Sequence, residues 1–127
     1  MKPTVLLFGE SQRGDFNTPL RCDSLSFLCE TLGEPPEDSQ GIQYAIQALL
    51  YDRNLFFYRV KEEGFSSTDY LKGFYLLQNK KTIPPFHALL MPGVGDKELL
   101  EEANRICKLH KSVLIITEKD LYDYLMG

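Results

Sequence analysis

The chain has 127 residues, and 43% of them are hydrophobic, which suits one domain with a single packed core. The 14 Lys and Arg residues against 18 Asp and Glu residues give a net charge of −4 without a basic cluster, and this balance disfavours non-specific binding of nucleic acid. No apolar run approaches the roughly 20 residues of a membrane-spanning helix, and the N-terminal run is too short for a signal peptide. We therefore expect one cytoplasmic domain over residues 1–127, with neither nucleic acid nor a membrane as its partner.

The pattern of apolar residues predicts four short buried strands separated by helices. In chain order the elements are a strand at residues 4–8, a helix capped by Thr18 with Pro19 in its first turn, a helix that begins at Ser39 or Gly41, a strand at 55–60, a helix capped within residues 66–68, a strand at 88–91, a helix capped by Asp96, a strand at 113–116 and a closing helix at 118–126. We expect Gly33 to end the first helix, because glycine adopts the left-handed conformation common there.

Each predicted helix has an apolar face that predicts which side chains are buried. These side chains are Leu25, Leu28, Cys29 and Leu32 in the first helix, Ile42, Ala45, Ile46 and Leu49 in the second, and Leu121, Tyr124 and Leu125 in the closing helix. In the helix after residue 66 they are Tyr70, Leu71, Phe74 and Leu77, and in the helix after Asp96 they are Leu99, Ala103, Ile106 and Cys107. The alternation of strands and helices predicts an α/β fold, namely a three-layer Rossmann-like domain. We expect about four parallel strands in the order 2-1-3-4, with helices on both faces of the sheet.

This strand order predicts where a ligand binds. The first and third strands lie side by side, and the loops that follow them, residues 9–17 and 92–96, meet at the carboxyl edge of the sheet. Ligands of open α/β sheets bind where such neighbouring loops leave on opposite faces. We expect the site between these two loops.

The loop at residues 9–17 begins like a phosphate-binding loop but does not complete the pattern. Gly9 and Gly14 have the required spacing, whereas Asp15 stands where the pattern requires a lysine. Ser11 and Arg13 could still bind an anion together with backbone N–H groups. An ordinary surface turn explains the same residues equally well.

The loop at residues 92–96 combines two glycines with the predicted start of a helix. Gly93 and Gly95 allow close approach of a ligand, and the helix start offers unpaired N–H groups to a phosphate. The alternative is a tight turn that Asp96 caps. Either way we expect Gly95 to need a left-handed conformation or close packing, so that Gly95→Val would destabilise the protein.

Two segments of the chain resemble a known group of proteins. The Val5–Gly14 stretch VLLFGESQRG and the strand followed by Pro92-Gly93-Val94-Gly95 are similar to the Lonely-Guy-like superfamily of nucleotide phosphoribohydrolases and lysine-decarboxylase-like proteins. Nucleoside deoxyribosyltransferases are similar in outline. The resemblance covers about the first 15 residues and positions 86–117, and it implies a Rossmann-like fold with a nucleotide-sized site.

The resemblance leads to a first hypothesis, in which the chain binds a nucleotide or phosphorylated sugar and hydrolyses an N-glycosidic bond. The phosphate would lie at Gly93, Gly95 and Asp96, with Ser11 and Arg13 opposite and Thr117 adding a polar group at the same edge. Glu10 or Glu98 would act as the acid or base, because a carboxylate stabilises positive charge developing at an anomeric carbon.

A second hypothesis is a non-catalytic interaction or regulatory module. The chain has Asp96 where the family pattern Pro-Gly-Gly-x-Gly-Thr has its threonine, and its loop is one residue shorter. Surplus aromatic residues on the surface would then mark a partner or a homodimer interface.

We expect neither a cofactor nor a metal ion. Cys107 and His110 are three residues apart on a predicted helix, but no second pair has a matching spacing. The cysteines are odd in number, and Cys22 and Cys29 on one helix would be roughly 10 Å apart, too far for a disulfide. We therefore expect all three thiols to be reduced.

Overall fold

The computed structural model describes residues 2–79, 81 and 83–127. Ten elements follow one another in this part of the chain: β1 (Thr4–Gly9), β2 (Leu20–Cys22), α1 (Leu25–Leu32), α2 (Gly41–Leu50), β3 (Asn54–Arg59), α3 (Ser67–Leu77), β4 (Ala88–Leu90), α4 (Lys97–His110), β5 (Val113–Ile115) and α5 (Glu118–Met126). Among the same residues, no helix has both the length and the apolar character needed to cross a bilayer.

The strands form one sheet in the order β2-β3-β1-β4-β5. β1 pairs in parallel with both β3 and β4, and β5 pairs in parallel with β4. The four predicted parallel strands therefore occur in the predicted 2-1-3-4 order. The antiparallel edge strand β2, which pairs with β3, was not predicted.

Apolar layers cover both faces of the sheet. Val5 and Leu7 of β1 belong to a cluster with α1, α2 and α5, whereas Leu6 and Phe8 belong to a cluster with α3 and α4. Successive side chains of a strand point to opposite faces, so a strand between two helical layers must be apolar throughout. The α/β class and the helices on both faces are thereby confirmed.

The predicted start of the first helix is wrong. Thr18 and Pro19 precede β2, and α1 begins only at Leu25, where the Ser24 hydroxyl accepts a hydrogen bond of 3.1 Å from the Phe27 N–H. A proline at the entrance to an edge strand removes no ladder hydrogen bond, so Pro19 is compatible with an edge strand as well as with the start of a helix. The predicted end is right, since Gly33 follows the helix with φ of +79°.

The predicted helix faces are correct in part: in α1, Leu28 and Leu32 are buried, whereas Leu25 and Cys29 are exposed. All four predicted core residues of α4 are buried, as are Tyr70, Phe74 and Leu77 of α3. Leu71 is the exception in α3, because 49% of its surface is exposed. Its position beside the buried stripe of α3 leaves it open to solvent between α3 and α4.

Candidate functional site

The carboxyl edge of the sheet collects the loops that follow β1, β3, β4 and β5, as predicted. The loop after β1 turns toward β3, since Phe16 forms a bridge with Arg59 and the Asn17 N–H donates to the Arg59 carbonyl at 3.1 Å. This direction carries its polar residues away from β4. The loop after β3, residues 60–66, reaches over the end of β1 instead.

Two close contacts, one with a backbone carbonyl and one with a side chain, show how tightly that loop fills the predicted crevice. A Cβ atom on Gly64 would lie 2.5 Å from the Gly93 carbonyl oxygen, and one on Gly9 would lie 3.0 Å from Glu63 Oε1. Such distances leave no room for a side chain. The space between the β1 and β4 loops is therefore occupied by the chain itself.

Glu63 is the centre of this arrangement. It is 8% exposed, and its Oε1 accepts hydrogen bonds from the N–H groups of Glu10 at 3.0 Å and Gly41 at 2.9 Å. Its Oε2 accepts one from the Gln40 N–H at 2.6 Å. Gln40 and Gly41 are the N-terminus of α2, where a helix offers N–H groups to an anion. The protein's own carboxyl group thus fills the anion position at the switch point.

Glu10 and Glu63 bind each other reciprocally. The Glu63 N–H donates to Glu10 Oε2 at 3.1 Å, while the Glu10 N–H donates to Glu63. Burial raises the pKa of the Glu63 carboxyl, the three N–H donors oppose that shift, and the nearby Glu10 charge adds to it. Glu10 was predicted as an acid or base, and the structure places it half-buried as a positioning partner of Glu63.

Two buried tyrosines hold the backbone around this centre. The Tyr70 hydroxyl accepts a hydrogen bond of 2.7 Å from the Gly64 N–H, and burial raises its pKa. The Tyr44 hydroxyl lies 3.3 Å from the Ile116 carbonyl, to which it donates, and burial raises its pKa to about 12. Both phenols remain protonated at neutral pH and serve as fixed hydrogen-bonding groups.

The predicted anion-binding residues of the first loop have local partners. Ser11 is 6% exposed, and its hydroxyl donates to the Arg13 carbonyl at 2.7 Å. The Arg13 guanidinium donates to the carbonyls of Glu30 at 2.9 Å and Cys29 at 3.3 Å. A cation there stabilises the C-terminal end of α1. Arg13 therefore contacts the end of α1 and not the loop after β4.

The predicted residues after β4 form a turn and a cap. Gly93 is exposed with φ of +80°, whereas Gly95 has no atom within 4 Å of an added Cβ and no left-handed φ. The expectation for Gly95 is therefore wrong, and Gly93 is the position that needs glycine. The Asp96 side chain accepts from the Leu99 N–H at 3.0 Å, and Glu98 is exposed beside it.

Thr117 is likewise a helix cap, because its hydroxyl accepts a hydrogen bond of 3.2 Å from the Asp120 N–H. Cys107 and His110 do not form a shared site, because His110 bonds to a carbonyl and Cys107 is buried. His110 Nε2 lies 2.6 Å from the Leu77 carbonyl, and burial raises the pKa of Cys107 to about 12. In the part of the chain that the structure describes, no group of three or more His, Cys, Asp and Glu is arranged to hold a metal ion.

A second feature lies between α3 and α4, on the opposite layer from α2. Leu71 and Tyr75 are one turn apart on α3 and are 49% and 75% exposed. A groove of about 410 Å³ runs beside Leu71 to the acidic first turns of α4, where Asp96, Glu98, Glu101 and Glu102 line it. We call Leu71, Tyr75 and these four carboxylates the α3–α4 face.

Sequence reasoning missed Glu63 and Arg59. Glu63 lies in the acidic stretch Lys61-Glu62-Glu63-Gly64, and only the glycine after it hinted at a close approach. Arg59 is the last residue of β3, so its place at the carboxyl edge followed from the predicted strand. Neither residue belongs to a motif.

Comparison with protein-family models, with curated proteins and with solved structures finds no match to this chain. The resemblance to the Lonely-Guy-like superfamily and the hydrolysis that it implies stay predictions.

Proposed function

We propose that this chain is a non-catalytic interaction module that binds a basic amphipathic helix on the α3–α4 face. The observation that carries the proposal is the exposed pair of Leu71 and Tyr75, two large apolar side chains one turn apart on α3. A helix with apolar residues at matching spacing would cover them, as in other helix-in-groove complexes. Contiguous exposed apolar surface with a polar rim is typical of interaction sites.

The charge of the rim selects the partner. Glu98 and Glu101 have no basic side chain within 4 Å among the described residues, while Glu102 pairs with Arg105. These acids also stabilise the N-terminal turns of α4, so they support the proposal only together with the apolar pair. A basic partner is attracted by this rim, whereas a second copy of the chain would present the same acids to it.

The closed switch point supports the absence of catalysis. Glu10 and Glu63 are held by backbone N–H groups at the position where a substrate phosphate would otherwise lie. The cytoplasm is the proposed compartment, supported by three free cysteines.

The test uses two synthetic peptides of equal length with leucine at helical spacing, one with lysine and one with glutamate at the remaining positions. Fluorescence anisotropy should detect binding of the lysine peptide and not of the glutamate peptide, and added salt should weaken it. Leu71→Ser and Tyr75→Ser should each weaken binding by about tenfold. Leu50→Ser is the matched control, since Leu50 is 60% exposed on α2.

Equal binding of both peptides, or equal losses in Leu71→Ser and Leu50→Ser, would contradict the proposed docking. Sedimentation of the same variants tests the predicted homodimer. If the wild type is a dimer that Leu71→Ser separates into monomers, the partner is a second copy of the chain.

A second candidate is binding of a nucleotide or phosphorylated sugar at the exposed Gly93–Asp96 turn, with hydrolysis of its N-glycosidic bond. The left-handed, exposed Gly93 before α4 favours it. Thermal-shift measurements with AMP and ribose 5-phosphate, followed by assay of adenine release from AMP, test it directly. Stabilisation that Gly93→Ala abolishes would support this candidate over the interaction module.

A further inference from the structure

A cavity of about 150 Å³ lies beside the carboxyl end of β3, on the side of the sheet where β2 pairs. Leu20, Leu32 and Phe57 form an apolar wall, and Arg59, Asp15 and Thr31 supply polar groups. Its volume corresponds to that of roughly five water molecules and is below the 300–1,000 Å³ of sites for drug-sized ligands. The cavity therefore suits a small molecule and is too small for a nucleotide.

Two residues of opposite charge line this cavity without forming an ion pair. Asp15 and Arg59 both contribute to its lining, yet neither forms an ion pair of 4 Å or less within residues 2–79, 81 and 83–127. Opposite charges that share a cavity without an ion pair leave each charge open to a ligand group of the opposite sign.

Arg59 also has hydrogen-bonding capacity to spare. Its guanidinium donates to the carbonyls of Gly14 and Gln12 and lies 3.9 Å from the centre of the Phe16 ring. Its Nε–H is buried and has no partner among the described residues, so a ligand in the cavity would contact the terminal Nη1 and Nη2 groups, each of which makes one hydrogen bond to the protein. A guanidinium has five N–H donors, and such groups bind carboxylates in preference to neutral acceptors.

We infer that this cavity binds a free α-amino acid with a small apolar side chain. The carboxylate of the amino acid pairs with Arg59, its ammonium group pairs with Asp15, and its side chain lies against Leu20, Leu32 and Phe57. The Thr31 hydroxyl provides a further hydrogen bond. A zwitterion satisfies both charges at once, whereas a simple carboxylate would leave Asp15 unpaired and a simple amine would leave Arg59 unpaired.

This inference goes beyond the proposed docking function, because the cavity and the α3–α4 face share no residue. Loss of amino-acid binding therefore leaves peptide docking intact, and the two proposals fail separately.

The experiment is isothermal titration calorimetry with three probes of nearly equal shape: L-valine, 3-methylbutanoate, which lacks the ammonium group, and 2-methylpropylamine, which lacks the carboxylate. We expect L-valine to bind at least about tenfold more tightly than either analogue, because each analogue forfeits one charge-assisted interaction. At ten times its Kd, L-valine should raise the folding equilibrium constant about elevenfold.

Two variants and one control assign the binding to this cavity. Asp15→Asn should weaken L-valine binding about tenfold and leave 3-methylbutanoate binding unchanged or stronger. Arg59→Gln should weaken both carboxylates. Asp38→Asn is the matched control, because Asp38 is exposed, lies outside the cavity and has a left-handed backbone that asparagine tolerates.

No heat from L-valine would overturn the inference. So would equal affinity of L-valine and 3-methylbutanoate, or equal affinity of Asp15→Asn and Asp38→Asn for L-valine. Because Asp15 is exposed, its substitution tests the ligand even if Arg59→Gln proves too unstable to measure.

Discussion

Two charged sites at the same edge of the sheet differ, since one is filled by the chain and the other borders an open cavity. At the end of β1, both oxygens of the Glu63 carboxyl meet backbone N–H groups, and the space around it is filled. At the end of β3, Arg59 and Asp15 line one cavity and form no ion pair with each other. The difference teaches that a chain can close the switch point of a Rossmann-like sheet with its own carboxyl group.

The closed site also explains how the two helical layers are joined. Glu63 leads toward α3 on one face, and its side chain reaches the N-terminus of α2 on the other. The contact spans positions that are 22 residues apart for Gly41 and 53 apart for Glu10. Removing it should affect stability far more than substituting the exposed Asp15 at the open cavity.

Replacing Glu63 with alanine should therefore have the largest effect. Three N–H groups lose their acceptor, and we expect the free energy of unfolding to fall by about 3 kcal/mol. Urea denaturation measures it, with Glu62→Ala as the exposed neighbouring control. Equal losses in the two variants would show that the Glu63 contact contributes little.

A glycine series tests how tightly the closed site is packed. In Gly64→Ala the added Cβ would lie 2.5 Å from the Gly93 carbonyl oxygen, at a position whose φ is +88°. We expect the free energy of unfolding to fall by about 2 kcal/mol. Gly93 has φ of +80° without a close contact, so Gly93→Ala should lower the free energy of unfolding by about 1 kcal/mol. Gly95→Ala should leave the free energy of unfolding unchanged. Thermal unfolding should rank the three in this order, and a larger loss at Gly95 than at Gly93 would refute the described turn.

The pH dependence of stability should carry the signature of the buried carboxyl. The folded-state pKa of Glu63 lies above its ordinary value of 4.5, so the folded protein binds more protons than the unfolded chain above that pH. Its contribution is then complete below pH 4.5 and is lost as the pH rises through the folded pKa.

We accordingly expect the stability advantage of the wild type over Glu63→Gln to shrink between acid and neutral pH. Denaturation at a series of pH values measures it, with Glu62→Gln as the control. An advantage that grows with pH would mean that the N–H donors outweigh burial and favour the ionised form.

Arg13→Ala should have the smallest effect. It removes exposed hydrogen bonds to two carbonyls at the end of α1, and we expect a loss of at most about 0.5 kcal/mol. Ligand affinity should not change, since Arg13 lines neither the closed site nor the cavity. A large loss of L-valine affinity in this variant would show that Arg13 takes part in ligand binding.

The sheet could be predicted because its parallel strands are short runs of apolar residues buried on both faces. β2 could not, because three residues with only Cys22 fully buried carry too little periodicity, and Pro19 suits a helix start as well as an edge strand. The Asp96 cap was predicted as an alternative to a ligand-binding role, because capping depends on near neighbours in sequence.

The candidate site was harder to predict because its contacts are not local. Arg13 was expected near β4, and its partners are 16 and 17 residues away in α1. The choice between Gly93 and Gly95 depended on a backbone angle that a Gly-x-Gly motif does not specify. Asp15 and Arg59 share a cavity only because β2 inserts between the first loop and α1.

Amide NMR spectra recorded during separate titrations with L-valine and inorganic phosphate test the contrast between the closed and the open site most directly. We predict that L-valine shifts the amide signals of Asp15, Thr31 and Arg59, while phosphate leaves those of Glu10, Gln40 and Gly41 in place. Saturable shifts of Gln40 and Gly41 with phosphate, together with an unaffected Arg59 during the L-valine titration, would contradict the account.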